Sequence, residues 1–522
     1  MNLTTRPTSS SCKSTGSSGV PPVQAADVYQ PRLGLEMEMV VVHAKTGASH
    51  PVNQYFSALS RIKQEQGMAC QPVMLNDRCV SMQTPVADCG LDNGFNLLET
   101  ATAPVAGGLG GLARLSALAH QELADTLGAL ESDQACVLNA AQHPDCTRAA
   151  NWYASVCVPR PIYRELVGYR GWHHWIGIDA KAQNGVNTSV PVQHAAAALN
   201  VMLGLAAANI ALFSNSPLES GQQTGFKENR LTIWPRVFEF SRFPGDALLT
   251  GYPARPFRDL GDYFRWMFQP GTVSRSLPQD HRYDYKSAPT VILDNDPSLT
   301  EFLNTASWPG RRSTDGQAAM VVPHAMHFEH SQIAQFLDAR WRYRLDALPP
   351  LPELLAAWRK EGGLEDLFAQ CGVDGYIEGR APGASFADAC LMREAGGAVA
   401  RSVLMAPTAL QLGLLGNIDA AWQLVCDWGW EELGLLRQIA MRVGLADDRV
   451  KALCSDVMAV AHAGLPEADG LYLMYADYVL RSGRSAADRF LDTWNSVSGH
   501  GDRLARLLPE HAALHPGQFG IF

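Results

Sequence analysis

The hydrophobic pattern changes along the chain, from short alternating segments in the first part to long segments with helical spacing in the second. Residues 33–42 (LGLEMEMVVV) predict a strand, because apolar residues run through it and two glutamates alternate with apolar neighbours. Residues 95–102 (FNLLETAT) predict a second strand, which ends before Pro104. Short apolar runs at 137–141 and 187–192 predict two more strands.

Helices are predicted by glycine and proline boundaries around apolar segments. Four glycines between residues 107 and 111 indicate a turn into a helix over 112–130. Residues 194–213 predict an Ala-rich helix, which ends at the proline-containing turn 214–217. After residue 350 helical periodicity dominates, at 353–360, 386–404, 419–443, 448–463, 471–482 and 486–494.

These patterns divide the chain into three parts. Residues 1–25 are rich in Ser, Thr, Pro and Gly, and we expect a disordered tail there rather than a secretory signal, because the segment has no apolar core. Residues 26–350 mix strands and helices and predict an α+β catalytic domain. Residues 351–522 predict a mainly helical C-terminal region that completes the same fold.

Composition excludes several classes of protein. The formal net charge is −10 and no basic run occurs, so the chain lacks the basic face of a non-specific nucleic-acid binder. The 11 cysteines are odd in number and form no CxxC pair, which is typical of reduced thiols in a cytoplasmic protein. Residues 190–218 contain no Asp, Glu, Lys or Arg, but Asn200 and Asn209 favour a buried helix of a soluble protein over a membrane span.

Glu36 and Glu38 are the first candidate site. Residues i and i+2 of a strand point to the same face, so the two carboxylates lie side by side. Like charges this close are costly unless a cation lies between them, and oxygen-rich sites suit Mg²⁺ bound together with substrate phosphates. The alternative is a solvated strand face on which the two glutamates have no role.

Further charged residues follow. Glu99 lies inside the apolar strand at 95–102, where a carboxylate needs a partner or a metal, and Asp92 precedes it; a buried ion pair with an arginine is the alternative. Arg230 and Lys227 lie in a Gly-rich loop and can grip phosphate or carboxylate, or be merely solvated.

Other common motifs are absent from the sequence or do not indicate a site. The chain has no Gly-Lys-Ser/Thr phosphate loop and no GxSxG nucleophile elbow. His324, His327 and His330 are spaced by three and would share one face of a helix, but the preceding Val-Val-Pro predicts a strand or loop, which disfavours a zinc site.

Seven motifs in order resemble one family, the glutamate–cysteine ligase superfamily of carboxylate–amine ligases. They cover roughly residues 30–495 and are LGLEME (33–38), DNGFNLLE followed by TATAP (92–104), GVNTSV (185–190), LFSNSP (212–217), the loop to Arg230 with Ile233 and Trp234, FLDAR (336–340), and SGRSA (482–486).

The resemblance implies a fold and a set of site residues. The fold is α+β, with a curved antiparallel sheet, helices on its outer face as in glutamine synthetase, and catalytic residues on its inner face. Arg230 would steady the γ-phosphate or an acyl phosphate, with Lys227 beside the nucleotide, and Arg340 would bind a substrate carboxylate or phosphate. The implied magnesium ligands are Glu36, Glu38, Asp92 and Glu99, with Asn187 in the place of a common histidine ligand and Asp338 in the place of a glutamate.

The resemblance also implies an activity. ATP, with Mg²⁺, would activate the γ-carboxylate of glutamate as an acyl phosphate, and cysteine would attack it, which is the first step toward glutathione. One alternative is a sibling ligase that joins glutamate or a similar acid to another amine in specialised metabolism. Another is a relative that binds ligands without catalysis, against which the four acidic residues argue. The partners expected are small molecules, with neither nucleic acid nor membrane.

Overall fold

The computed structural model describes residues 30–268, 277–278, 289–331, 336–345, 347–497 and 503–520, so the predicted tail lies outside the described residues. The strands are β1 (Arg32–His43), β2 (Gln71–Leu75), β3 (Arg78–Gln83), β4 (Ala87–Leu91), β5 (Leu97–Thr102), β6 (Val105–Ala106), β7 (Ala135–Leu138), β8 (Asn184–Ser189), β9 (Leu218–Glu219), β10 (Gln222–Gln223), β11 (Leu277–Pro278), β12 (Thr290–Leu293), β13 (Trp308–Arg312), β14 (Ala318–Val321), β15 (Ala339–Arg344) and β16 (Asp374–Gly379).

Helices alternate with these strands and then replace them. They are α1 (Tyr55–Glu65), α2 (Gly111–Leu130), α3 (Ala150–Val156), α4 (Pro161–Arg164), α5 (Ala195–Gly204), α6 (Ala206–Phe213), α7 (Ile233–Phe238), α8 (Leu260–Met267), α9 (Leu299–Leu303), α10 (Ala325–His330), α11 (Leu351–Trp358), α12 (Gly363–Gln370), α13 (Ala389–Ser402), α14 (Ala406–Gly416), α15 (Ile418–Trp428), α16 (Trp430–Val443), α17 (Asp448–Gly464), α18 (Met474–Ser482), α19 (Ala486–Ser496) and α20 (Arg503–His511).

A ten-stranded sheet is the centre of the fold. Eight strands run in the order β15-β16-β8-β1-β5-β4-β3-β2, and β6 and β7 also pair with β1. Each of these pairings is antiparallel. The predicted strands at 33–42 and 95–102 are confirmed as β1 and β5, whereas those at 137–141 and 187–192 each begin a few residues earlier than predicted.

The two faces of β1 have different chemistry because its side chains alternate. Leu35, Met37 and Met39 are fully buried in the hydrophobic core. Helices α2, α5 and α14 contact the sheet, and none of their residues lines the cavities over the face that carries Glu36 and Glu38. We call the face with the glutamates the inner face. The predicted fold, an antiparallel sheet with helices on its outer side and a helical C-terminal region, is confirmed.

The Ala-rich segment is buried as predicted, but it is two helices rather than one. Helices α5 and α6 meet at an angle of 50°, and nearly all of their residues are buried. Within the described part of the chain, no single helix is long and apolar enough to span a bilayer, whereas two bent helix pairs pass the same test of length and composition.

The C-terminal region is mainly helical but contains one strand that the periodicity did not predict. Strand β16 pairs with β15 on one side and with β8 on the other. It therefore lies within the large sheet, between two strands that precede residue 350 in the sequence. Only long-range pairing makes this glycine-bounded hexapeptide a strand, because its sequence is too short to show a pattern. The division into domains at residue 350 stays a prediction.

The histidine segment forms a helix, so the expectation of a strand or loop there was wrong. His324 caps α10, since its Nδ1 accepts from the backbone N–H of Met326 at 3.1 Å, and His327 Nδ1 accepts from the backbone N–H of His324 at 3.1 Å. The two ring nitrogens therefore hold the first turn of a helix. Among the described residues, these histidines form no candidate metal group.

Candidate active site

Two adjoining cavities lie on the inner face of the sheet. The larger, an outer cleft of about 1130 Å³, spreads over strands β1 to β5 and β8. The smaller, an inner chamber of about 180 Å³, lies deeper. The two share the lining residues Glu36, Leu91, Glu99, Arg160 and Arg342. A ligand can therefore extend from one into the other.

Three carboxylates meet in the inner chamber, and we call Glu38, Asp92 and Glu99 the carboxylate cluster. Strand register brings two of them together, because Glu38 lies directly opposite Glu99 in the β1–β5 pair. Asp92 follows the end of β4, which pairs with β5 on its other side. One carboxylate oxygen from each residue lies within 4.8 Å of the others. The sequence predicted all three as metal ligands, and the fold brings them together.

Lys181 lies against this cluster. Its Nζ is 3.5 Å from Oε2 of Glu38 and 3.4 Å from Oδ2 of Asp92, and its side chain is buried. Burial raises the pKa of Glu38 to about 7. The charge of Lys181 opposes this increase, and the charge of Asp92 adds to it. Burial would raise the pKa of Asp92 as well, but Lys181 and a hydrogen bond from Asn93 outweigh it and hold that pKa below its ordinary value.

Glu36 lies one step along β1 and contacts a different partner. The amide of Asn187 donates to Glu36 Oε1 at 3.1 Å, while Oδ1 of Asn187 is buried without a hydrogen-bond partner among the described residues. Gly185 lies opposite Glu36, and a Cβ there would come within 3.3 Å of Glu36 Oε2, so a larger residue would crowd the carboxylate. Burial and the nearby Glu378 raise the pKa of Glu36.

Three arginines surround Glu378 on the other side of the chamber, and we call Arg340, Arg342 and Arg380 the arginine cluster. Arg340 Nε donates to Glu378 at 2.7 Å, Arg380 Nη1 donates at 2.6 Å, and Arg342 Nε lies at 3.8 Å. Burial alone would raise the pKa of Glu378, but the three cations hold it far below its ordinary value. Glu36 also interacts with Arg340 and Arg342. Three guanidinium groups gathered on one side of the chamber suit an anionic ligand.

The remaining wall of the chamber is aromatic, formed by Tyr163, Trp172, Trp234 and Phe336 around His174. The rings of Trp234 and Phe336 stack with centroids 3.8 Å apart. His174 Nδ1 bonds to the Tyr153 hydroxyl at 2.9 Å, while Nε2 is buried without a partner among the described residues. Burial lowers the pKa of His174 to about 3, so the ring is neutral at physiological pH.

Three other predicted site residues do not line the chamber. Arg230 is fully buried beneath it, where it donates to Glu228 at 2.7 Å, to Gln183 at 3.2 Å and to the carbonyl of Ala381 at 2.9 Å. Through these bonds the guanidinium group fixes the segment that precedes β8. Arg230 supports the segment before β8 and does not line the chamber, and its ligand-binding role stays a prediction.

Lys227 and Asp338 also lie elsewhere. Lys227 pairs with Asp488 of α19, and Asp338 pairs with Arg437 of α16 through both carboxylate oxygens. The side chains of Lys227 and Asp338 turn to other helices, which supply the opposite charges. Neither residue lines the chamber, and their predicted roles stay predictions.

Sequence reasoning missed Lys181, Glu378 and Arg380, which the fold adds to the site. Glu378 and Arg380 belong to the segment of β16, whose strand character the sequence concealed. Glu378 and Arg380 are two residues apart, as Glu36 and Glu38 are. This spacing is the sequence signal that could have indicated two charged side chains on one face of a strand. Lys181 precedes β8 in extended conformation, and no pattern in the sequence marks it.

The donor set suits a magnesium ion. Carboxylate oxygens are the ligands that Mg²⁺ prefers, and three of them converge. Oε1 of Glu38 and Oδ1 of Asp92 have no hydrogen-bond partner among the described residues, so lone pairs remain for a cation. The unpartnered Oδ1 of Asn187 offers a further oxygen near Glu36. The cluster with Asn187 and Glu36 would hold the metal, which in turn would neutralise phosphate charge.

The comparisons with known proteins cover the part of the chain that carries most of this site. A profile of glutamate-cysteine ligase family 2 matches residues 32–291, which include β1, the carboxylate cluster, Asn187 and Arg230. The chain belongs to the glutamate–cysteine ligase superfamily of carboxylate–amine ligases.

One similar structure is a glutamate–cysteine ligase from Francisella tularensis in complex with AMP, with a TM-score of 0.47 and 12% identity over 94% of this chain and 89% of that one. Another is a bifunctional glutathione synthetase from Pasteurella multocida, with a TM-score of 0.42 and 12% identity over 94% of this chain and 53% of that one. No curated protein matches the sequence.

Proposed function

We propose that the protein is an ATP-dependent ligase that joins the γ-carboxylate of glutamate to an amine, with cysteine as the first candidate. The observation that carries the proposal is the opposition of two charged clusters across the inner chamber. The carboxylate cluster suits Mg²⁺, and the arginine cluster suits the anionic groups of a nucleotide and an acid.

The shape of the two cavities supports the same assignment. The outer cleft is large enough for a nucleotide, and its polar lining includes Arg32, Ser81 and Gln83. The inner chamber is small and buried, which suits the acid, the terminal phosphate and the incoming amine. Because the cavities adjoin at Glu36, Glu99 and Arg342, the phosphate end of a nucleotide would point at both clusters.

The chemistry requires two displacements. An oxygen of the γ-carboxylate attacks the γ-phosphorus, and ADP leaves; the amine nitrogen then attacks the carbonyl carbon, phosphate leaves, and the nitrogen loses a proton. When bound, Mg²⁺ supplies charge neutralisation at the phosphates. The arginine cluster orients the carboxylate and the transferred phosphoryl group, because fixed guanidinium groups align two anions that would otherwise repel. The aromatic wall excludes water, which would hydrolyse the acyl phosphate.

Turnover with a panel of amines tests the proposal. The protein is incubated with ATP, Mg²⁺, glutamate or a similar acid, and each amine, and phosphate release and product mass are measured. Strong release with cysteine, and a γ-glutamyl product, would support the first candidate. Release with glutamate and another amine, but not with cysteine, would favour the sibling ligase. Absence of release with every acid and amine would reject the ligase and favour a relative that only binds ligands.

A further inference from the structure

Lys181 occupies a position where two acidic side chains would otherwise need a cation. Its Nζ lies 3.5 Å from Glu38 and 3.4 Å from Asp92, two of the three carboxylates that converge as candidate metal ligands. The side chain is 3% exposed, so the nitrogen is held among these groups rather than in solvent. It also lies 5.6 Å from the ring centroid of Trp234, a contact that favours a cation.

The distances show that Lys181 does not close the cluster. Both separations are longer than a direct charge-assisted hydrogen bond, which is about 2.7–2.9 Å. Glu38 Oε2 instead accepts its shorter bond, at 3.0 Å, from the backbone N–H of Gln183. Lys181 therefore lies between Glu38 and Asp92 at the separation of a shared counter-ion. Oε1 of Glu38 and Oδ1 of Asp92 have no hydrogen-bond partner among the described residues.

The charge balance of the whole chamber points the same way. Its lining contains five carboxylates and five basic side chains, so its formal charge is zero without a ligand; they are Glu36, Glu38, Asp92, Glu99 and Glu378, with Arg160, Lys181, Arg340, Arg342 and Arg380. A neutral chamber attracts a free divalent cation weakly. A cation that enters together with a polyanionic nucleotide brings its own counter-charge and meets no such barrier.

We propose that Lys181 is a built-in cation of the carboxylate cluster, which takes the place of one divalent ion and makes metal binding depend on the nucleotide. Lys181 is thus a positioning residue, because it acts through Glu38 and Asp92 and sets how many divalent ions these carboxylates accept. The inference rests on the proposed function, in which a metal–nucleotide complex is the substrate.

Binding of Mn²⁺, measured by electron paramagnetic resonance and calorimetry without turnover, tests the inference. The variants are Lys181→Gln, which removes the charge but keeps a hydrogen-bond donor, Lys181→Arg, which keeps the charge, and Lys360→Gln, which removes an exposed charge outside the chamber. We expect wild type, Lys181→Arg and Lys360→Gln to bind Mn²⁺ alone weakly. Lys181→Gln should bind Mn²⁺ alone at least about tenfold more tightly, or bind one more ion.

A second arm adds a non-hydrolysable ATP analogue to the wild-type protein. We expect the analogue to increase Mn²⁺ affinity at least about tenfold in wild type and much less in Lys181→Gln. Equal Mn²⁺ affinity and stoichiometry in wild type and Lys181→Gln would overturn the inference. If Lys181→Gln does not fold, tight binding of Mn²⁺ to wild type in the absence of the analogue would overturn it as well. Neither outcome depends on turnover, so the proposed ligase reaction would fail separately, in the amine panel.

Discussion

Two buried lysines of this protein each lie between two carboxylates, and one of the two clusters lines the inner chamber. Lys63 of α1 contacts Glu122 at 2.5 Å and Asp125 at 2.6 Å, both on α2. Lys181 lies at 3.4 to 3.5 Å from Asp92 and Glu38. Both lysines are buried, so exposure does not distinguish a cluster that stabilises the fold from one that binds a ligand.

The difference lies in how completely the carboxylates are satisfied. In the Lys63 cluster every carboxylate oxygen has a partner, since the Cys89 thiol donates to Glu122 and the side-chain amides of Gln66 and Gln121 donate to Asp125. In the Lys181 cluster Oε1 of Glu38 and Oδ1 of Asp92 have no such partner among the described residues. A fully bonded cluster has nothing to offer a ligand, whereas a partly bonded one pays a desolvation cost that a ligand can relieve.

The largest expected effect is on turnover, from a change within the carboxylate cluster. Glu99→Gln removes one negative charge and one proposed metal ligand with little change in shape. We expect the turnover number to fall about a thousandfold, which corresponds to an activation barrier that is higher by roughly 4 kcal/mol. The reason is that a bound metal ion would stabilise the charge of the transition state by several kcal/mol. Steady-state kinetics, with circular dichroism to verify folding, measures this. A folded Glu99→Gln protein with more than a tenth of wild-type turnover would contradict the assigned role.

The matching change in the closed cluster should affect stability instead. Lys63→Met leaves Glu122 and Asp125 buried without their cation, so we expect the free energy of unfolding to fall by about 3–5 kcal/mol. Urea denaturation measures the loss, and turnover per folded molecule should stay near that of wild type. A loss of turnover in the folded fraction would mean that the two clusters are not separate in function.

Stability should depend on pH through Glu38, whose pKa burial raises to about 7. Between the ordinary value of 4.5 and 7 the folded state binds more protons than the unfolded state, so the free energy of unfolding falls as pH rises through this range. The contribution at pH 8 is unfavourable by about 3 kcal/mol at most. Glu38→Gln should lose this dependence, and denaturation of both proteins between pH 5 and pH 8, without metal, measures the difference. Equal slopes in the two proteins would refute it.

A smaller effect is expected from Arg340→Lys in the arginine cluster. Lysine keeps the charge but loses the planar fork that orients a carboxylate or phosphate, so turnover should fall about 10- to 100-fold. The KM for glutamate or ATP should rise more than the KM for the amine. A rise confined to the amine would move Arg340 to the acceptor side of the chamber.

The smallest effect is expected at Lys227, which pairs with Asp488 at a partly exposed position. Lys227→Gln should lower the free energy of unfolding by less than about 1 kcal/mol, as a partly exposed pair contributes little. Turnover should stay within about twofold of wild type, because the side chain does not reach the chamber. A large increase in the KM for ATP would instead support the nucleotide-binding role predicted from the sequence.

Much of the site could be predicted because it lies on two strands with readable patterns. Glu36 and Glu38 alternate with apolar residues on β1, and Glu99 interrupts an apolar run on β5, so their chemistry showed locally. Arg340 followed from a motif. Glu378 and Arg380 were not predicted, since their two-residue spacing is a weak signal and β16 is a strand only through its pairing with β8 and β15.

What the sequence determined by itself was the alternation of β1 and β5, the helices of the C-terminal region and the family to which the chain belongs. These depend on local periodicity and on the order of short motifs. Both are properties of the sequence that do not require tertiary contacts. The tertiary structure alone decided which charged groups meet. It brought Lys181, Glu378 and Arg380 to the chamber and turned Lys227 and Asp338 toward other helices, because the partner of a charged side chain depends on register and packing between segments distant in the sequence.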